Sequence, residues 1–322
     1  MNLLAVMVLL GACGALATSL LLELVHRPTL ARLRRTAPAE RLRWLLALIA
    51  APAVSGVVAV LLAFGPCLHH LLLGLADGCR DHGGPEFFLC LRIPMHDLPS
   101  AWLMLSVIVA IAARRLTLGV LAGLRAGRML RTLRQLGRYD HARDLWLVPG
   151  DLAVVSGWPA SHIYVGERLE RRASSDTLRV VVAHERAHVR HHDVSLNLLA
   201  RALGLCLTPH LREHLHSELS LAMEQACDAA AAVELRDPLV VAQCLLELSK
   251  LSQLEPGLGI ACAPAAGHLE ARIRALCEPT WASSRGVGVV VGVLVLTLAA
   301  VCLAFDFPLH ELVEAAFGRL LS

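Results

Sequence analysis

The sequence predicts a mainly α-helical membrane protein with four transmembrane helices and a cytoplasmic α+β domain between the third and the fourth. The first observation is composition: 56% of the 322 residues are hydrophobic and 18% are charged, whereas soluble globular chains average about 45–50% and about 25%. The second is that the apolar residues form stretches long enough to cross a bilayer. The third is a more polar segment of about 160 residues between two of these stretches, which is long enough for a core of its own.

The same composition excludes several classes of protein. The hydrophobic content is too high for a disordered chain, and the numbers fit neither collagen nor a coiled coil. Aromatic residues make up 4% of the chain, and the net charge is +3. Because nucleic-acid binding relies on basic patches and stacking aromatic residues, we expect no direct binding of nucleic acid.

The predicted spans follow from the length of about 20 apolar residues that a transmembrane helix needs. Three stretches meet it: residues 2–25, 44–65 and 287–305. The first lacks the basic start and the cleavage site of a signal peptide, so we expect a retained anchor. A further candidate span, residues 98–113, is short because Arg114 and Arg115 follow it. It could continue toward Leu124 with the arginines reaching the headgroups, or it could be re-entrant.

The arginine residues predict the orientation, since cytoplasmic loops carry most of the basic residues. Arginine is abundant after the first and third spans, which places the N-terminus outside and the large domain in the cytoplasm. We divide the chain into three parts: a three-span module at 1–124 with an outer loop at about 66–99, a cytoplasmic domain at 125–286, and a fourth span with a short outer tail at 287–322.

The outer loop contains Cys67, Cys79 and Cys90, for which an oxidising compartment permits a disulfide. Four histidines share this loop, so a metal-sensing site is the alternative. The stimulus that the loop would receive stays open.

The cytoplasmic domain is expected to begin with a basic amphipathic helix at residues 121–136 that lies against the lipid headgroups. Two or three short strands follow within residues 145–169, the last at 162–165. Asp176 is expected to cap a long helix that ends near residue 207, because Thr208-Pro209 breaks it. Two further helices follow, the first at 211–235, and a short helix ends the domain near residue 279.

The first long helix carries the sequence His184-Glu185-Arg186-Ala187-His188. Residues four apart share a helical face, so both imidazoles can reach one metal ion. Glu185 is rotated by about 100° from His184, which suits contact with a water molecule on that ion better than ligation. This is the arrangement of zinc hydrolases, in which the glutamate takes a proton from water.

A catalytic zinc site usually has three protein ligands. The metzincin pattern continues with a glycine and a histidine at the positions of His191 and Val194, so that class is excluded. A glutamate on a second helix is the other common solution, and Glu224 provides one. Asp228 shares its face and can accept a hydrogen bond from a ligating imidazole.

These motifs resemble the BlaR/MecR-type antirepressor metallopeptidases, and the resemblance covers most of residues 1–305. Further matches are the segment from His188 to Asp193, the segment from Gly157 to Val165, and residues 269–276. The resemblance implies a gluzincin-like fold, one Zn²⁺ per chain, and a location in the inner (cytoplasmic) membrane of a bacterium. It also implies cleavage in a pathway that inactivates a cytoplasmic repressor of the BlaI/MecI kind. It implies His184, His188 and Glu224 as ligands, Glu185 as the base and Asp228 as a partner of a ligating histidine.

In the best-known members a penicillin-binding sensor domain follows the last span, whereas here residues 306–322 follow it. We therefore expect no direct sensing of β-lactams. Membrane quality-control proteases of the HtpX type share the motif and a distal glutamate, and they are the alternative. A second alternative is a signal transducer in which zinc is only structural.

Several other residues are candidates for supporting roles. Asp193 is expected to help order the zinc-binding helix, and the oxyanion-stabilising residue stays open between His268, Arg272 and Tyr164. The strand at 162–165 is expected to bind the substrate backbone by β-augmentation. His191 and His192 resemble alternative metal ligands but are interpreted as surface residues or as residues that support the ligands from behind. His210, His214 and His216 resemble a metal cluster but are interpreted as solvated helix residues.

Overall fold

The computed structural model describes residues 3–73, 99–254 and 266–278. The predicted span at 287–305 and two of the outer-loop cysteines, Cys79 and Cys90, lie outside the described residues. The elements follow one another as three long helices, a small sheet and a set of shorter helices. They are α1 (Leu3–Leu33), α2 (Pro38–Leu73), α3 (Pro99–Leu136), β1 (Arg138–Asp140), β2 (Leu145–Val148), β3 (Ala153–Ser156), β4 (His162–Gly166), α4 (Glu167–Arg172), α5 (Ser175–Arg190), α6 (Asp193–Leu203), α7 (Pro209–Leu235), α8 (Pro238–Leu254) and α9 (Ala266–Cys277). The prediction of a mainly helical fold with a small sheet is confirmed.

Within the described residues, three helices are long and apolar enough to cross a membrane: Met7–Leu33, Pro38–Leu61 and Ser106–Leu136. The third candidate span and the expected amphipathic helix are one continuous helix, α3, about 57 Å long at 1.5 Å per residue. The arginines after residue 113 therefore do not end the helix, and α3 does not turn back within its length as a re-entrant segment would. Most of the α3 side chains are exposed, as expected of a helix that contacts lipid.

The helices α1 and α2 pack closely through small residues. A Cβ added to Gly56 would lie 2.6 Å from the backbone oxygen of Gly11, so only glycine fits there. Thr18 donates a hydrogen bond of 2.6 Å to Ser55 across the same contact. Small residues and hydroxyl hydrogen bonds are the usual means by which helices associate in a membrane.

The four strands in the described part of the chain form one sheet in the order β1-β2-β4-β3. Strand β4 pairs in parallel with β2 on one side and antiparallel with β3 on the other. The expectation that residues 162–165 bind substrate by β-augmentation is therefore wrong, because that mode needs an open sheet edge. The edge strand next to β4 is β3.

The long helix expected at residues 176–207 is two helices, α5 and α6. Ser174, rather than Asp176, caps α5 by accepting a hydrogen bond of 3.0 Å from the Thr177 N–H. His192 ends the helical path because its backbone is left-handed, with φ of 56°. The break places Asp193 at the start of α6 with its side chain buried. The expected helix boundary at Thr208-Pro209 is confirmed, since α7 begins at Pro209.

Helix α7 packs against the α1–α2 hairpin as well as against α5. Leu33, Leu45 and Ile49 share one buried cluster with leucines of α7, including Leu211 and Leu215. Two polar contacts extend the same interface: Arg34 with Glu218, and Arg41 with Gln225. The membrane hairpin and the domain that follows α3 thus share a core, which positions α7 relative to the membrane.

Candidate metal centre

Helix α5 presents His184 and His188 side by side on one face. Their Nε2 atoms lie 3.1 Å apart, and the two rings are nearly perpendicular. The helical spacing of four residues explains this proximity. Both nitrogens therefore point to the same position.

Helix α7 brings Glu224 to that position. Its carboxylate oxygens lie 3.4 Å from the Nε2 of His184 and 3.7 Å from the Nε2 of His188. Bonds of about 2.0–2.2 Å at tetrahedral angles separate the ligand atoms of zinc by about 3.4 Å. The three predicted ligands thus have the spacing that a tetrahedral metal ion requires.

Each histidine has a carboxylate on its other ring nitrogen. The Nδ1 of His184 lies 3.0 Å from Asp228, and the Nδ1 of His188 lies 2.6 Å from Asp193. An Nδ1–H donated to a carboxylate leaves the Nε2 lone pair for a metal and fixes the orientation of the ring. The structure therefore brings both predicted supporting aspartates to the atoms where they can act.

Arg272 of α9 connects the two acidic residues of α7. It is 3% exposed and donates two hydrogen bonds of 2.7 Å to Asp228. Its Nη1 also lies 2.9 Å from Glu224. The guanidinium thus holds Glu224 and Asp228 in a fixed relation to each other.

The family model described as BlaR1 peptidase M56 matches residues 95–276, more than half of the chain. This chain belongs to the BlaR1 peptidase M56 family. No curated protein and no solved structure matches it. The matched segment contains the complete set of residues just described, so the resemblance read from the sequence is confirmed.

The charges of this M56 centre are strongly coupled. Burial alone would lower the pKa of His184, but hydrogen bonds and negative charge from Asp228 and Glu224 outweigh it and raise the pKa to about 10. Burial would raise the pKa of Glu224, but His184, Arg272 and His188 together lower it to about 2. The pKa of Asp228 is also lowered despite burial, because Arg272 and His184 donate to it. At neutral pH the metal-free centre therefore holds a proton on His184 between two carboxylates.

Glu185 of this peptidase-family chain is 2% exposed and faces the sheet. It lies three residues after Val182 and four before Val189, and both valines pack against the side chains of β2, β3 and β4. The side chain therefore lies on the sheet side of the two histidines.

The three candidates for oxyanion stabilisation are in different places. Tyr164 is fully buried in β4 and accepts a hydrogen bond of 2.6 Å from Arg134. His268 lies 3.2 Å from Ser217 and lines a cavity of about 1000 Å³ that none of the three predicted ligands borders. Arg272 is the candidate that contacts the centre, through its two carboxylates.

Sequence reasoning missed two contributions. Cys227 is buried with its Sγ 3.4 Å from Asp193 and 3.3 Å from the Nδ1 of His188, so it supports the same imidazole. Burial and the nearby Asp193 raise the pKa of Cys227, which keeps it a neutral thiol. The other is the pairing of Arg272 with both carboxylates. Cys227 lies between Glu224 and Asp228 in the sequence, which could have suggested its place at the site, whereas nothing in the sequence pairs Arg272 with those two carboxylates.

Proposed function

We propose that this chain is a membrane-embedded zinc metalloendopeptidase of the gluzincin type that cleaves a cytoplasmic protein. One observation carries the proposal: the Nε2 atoms of His184 and His188 converge with the Glu224 carboxylate, and each imidazole is oriented by its own aspartate. Membership of a peptidase family supports a hydrolytic role for this geometry.

Zinc is the metal that this donor set fits best. Two imidazoles and one carboxylate are the ligands of the thermolysin-type catalytic site, which keeps a position open for water. His184, His188 and Glu224 would hold the ion. When bound, zinc acts as a Lewis acid on the scissile carbonyl and lowers the pKa of water to about 7.

Glu185 is the proposed general base. It takes a proton from the attacking water as the C–O bond forms, and it returns that proton to the leaving amine as the C–N bond breaks. Its place between the histidines and the sheet suits this role, because a substrate strand lying along the sheet would pass beside it. Asp228 and Asp193 orient the two imidazoles, and Arg272 positions Glu224 and Asp228.

The edge strand β3 is the proposed docking site for the substrate backbone. The N–H of Gly166 donates a hydrogen bond of 2.6 Å to the carbonyl of Leu152, so these two residues form a hydrogen-bonded pair. Because hydrogen-bonded pairs alternate along antiparallel strands, Val154 and Tyr164 form the next such pair. The N–H and C=O of Val155 then point away from β4. An extended peptide can pair with them, whichever sequence it has.

The membrane arrangement and the partner are parts of the same proposal. The arginine distribution supports an N-terminus outside the bacterial inner membrane and a domain in the cytoplasm. Membership of the BlaR1 family supports a regulatory substrate, a repressor protein of the BlaI/MecI kind. The protease would act on that protein, with the lipid bilayer as its other contact and without binding nucleic acid itself.

The test compares the wild type with Glu185→Gln in bacteria, with Glu270→Gln as the control because that glutamate is exposed on α9. Quantitative proteomics should show one DNA-binding regulator that accumulates in the Glu185→Gln strain and not in the control strain. Accumulation of many membrane proteins would instead favour quality control of the HtpX type. Equal signalling and equal proteomes in the wild-type and Glu185→Gln strains would overturn the proposal and favour a signal transducer.

A further inference from the structure

A second cluster of histidines lies where α7 meets α1. His210 and His214 are four residues apart near the start of α7, and His26 of α1 packs against both. The ring centroids lie 5.7 Å apart for His26 and His210, 5.6 Å for His26 and His214, and 4.2 Å for His210 and His214. One ring nitrogen from each residue lies within 4.8 Å of the other two.

His26 is the residue that an ordinary packing role does not explain. It is 6% exposed, and its Nδ1 donates to the backbone oxygen of Glu23 at 2.7 Å. The ring is therefore the tautomer with a lone pair on Nε2. That buried Nε2 has no hydrogen-bond partner among the described residues. A buried polar atom is normally satisfied, so this nitrogen is aimed at a ligand that the protein atoms do not provide.

Glu23 prepares His210 in the same way. One carboxylate oxygen pairs with the Nδ1 of His210, and the other accepts a hydrogen bond of 2.6 Å from Thr208. A carboxylate on Nδ1 directs the Nε2 of an imidazole toward a metal, as it does in known metal sites. His214 is exposed and can complete a set of three imidazoles.

We propose that His26, His210 and His214 form a second binding site for a divalent transition-metal ion of the zinc class, which links α1 to α7. Imidazole ligands suit zinc, copper, nickel and iron, and exclude magnesium and calcium as preferred ions. The order His210-x-x-Glu213-His214 also occurs in inverzincin proteases. Glu213 is exposed, and the role proposed for this site is structural.

The neighbouring histidine of α7 lies outside this cluster. His216, the third histidine of the segment, donates its Nδ1 to the backbone oxygen of Arg212 at 2.8 Å and packs beside Gly204. It therefore belongs to the packing between α6 and α7. Glu224 follows His210 by about 21 Å along the same helix at 1.5 Å per residue. Metal at the cluster would fix the membrane end of the helix that carries the proposed catalytic ligand.

The experiment measures tightly bound Zn²⁺ in the purified full-length protein after equilibration with zinc and desalting. We expect two zinc ions in the wild type, one in His214→Ala and one in His188→Ala, because each variant loses one site. The combined variant should bind none. His216→Ala is the matched control and should keep two. One zinc in both the wild type and His214→Ala would overturn the proposal.

Cobalt spectroscopy gives a readout that does not depend on peptidase activity. In the His188→Ala background, Co²⁺ should produce visible d–d absorption that His210→Gln abolishes. The same absorption in His210→Gln would contradict the assignment. Two zinc ions in the wild type, together with equal proteomes in the wild-type and Glu185→Gln strains, would refute the proposed protease function and leave the second site standing.

Discussion

The buried pair of Arg272 and Asp228 leads to a prediction about how the centre is held together. The guanidinium donates two hydrogen bonds of 2.7 Å, and the two side chains are 3% and 1% exposed. Removing one partner of such a pair leaves an uncompensated buried charge and costs about 3–5 kcal/mol, whereas replacing both with apolar residues often costs little. We expect Arg272→Met and Asp228→Leu each to lose about 3–5 kcal/mol. The double variant should lose far less than their sum.

The assay is thermal unfolding of the purified protein after removal of metal with EDTA. About 1 kcal/mol corresponds to about 2–4 °C for a chain of this size, so each single variant should melt on the order of 10 °C lower. The control is Arg190→Ala, because Arg190 and Glu234 lie 2.9 Å apart at the surface, where a pair contributes about 0–1 kcal/mol. Equal shifts for Arg272→Met and Arg190→Ala, or additive losses in the double variant, would refute the reasoning.

Three further predictions concern proton binding, the sheet edge and the membrane hairpin. Because the pKa of metal-free His184 is raised to about 10, zinc displaces a proton at neutral pH, and chelator competition should show an affinity that falls about tenfold per unit as the pH decreases. The stability of the metal-free protein should change with pH in the opposite direction to the zinc affinity. The stabilisation from this proton is complete below the unfolded pKa near 6.5 and is lost as the pH rises through about 10. Thermal melts at increasing pH would detect this loss. Val155→Pro should reduce peptide cleavage and keep the zinc content, because it removes an N–H that points away from the sheet. Val154→Pro should also lower the melting temperature, because it removes an N–H that pairs with β4. Full activity of Val155→Pro would contradict docking at β3. Gly56→Val should cost about 1–3 kcal/mol in thermal unfolding because no space exists for a side chain, and Gly119→Val should be neutral because nothing lies within 4 Å of its Cβ position.

The local signals in the sequence were sufficient for the two helices that carry the proposed ligands. The spacing of His184 and His188 depends only on helix geometry, and Glu224 and Asp228 share a face for the same reason. A proline at position 209 starts α7 where the sequence predicts a break. These features depend on residues close together along the chain, which is why they could be predicted.

The remaining features depend on contacts between distant residues. The break between α5 and α6 is associated with the burial of Asp193 against His188, a tertiary contact that overrides the helical propensity of the segment. The position of β4 inside the sheet depends on which strands pair with it, and the sequence of β4 alone does not determine those partners. His26 and His214 are likewise distant along the chain, so the histidines of α7 were interpreted as solvated residues. Arg272 could be proposed as a candidate but not paired with its carboxylates.

The most direct test of the central claim is the zinc content and the casein cleavage of three proteins in a His210→Ala, His214→Ala background, which removes the proposed second site. The background protein should bind one zinc ion per chain and cleave casein. Adding Glu185→Gln should keep the zinc and abolish cleavage, because only the proposed base is lost. Adding Glu224→Ala should lose both. Cleavage by the Glu185→Gln protein, or one full zinc ion retained by the Glu224→Ala protein, would contradict the account.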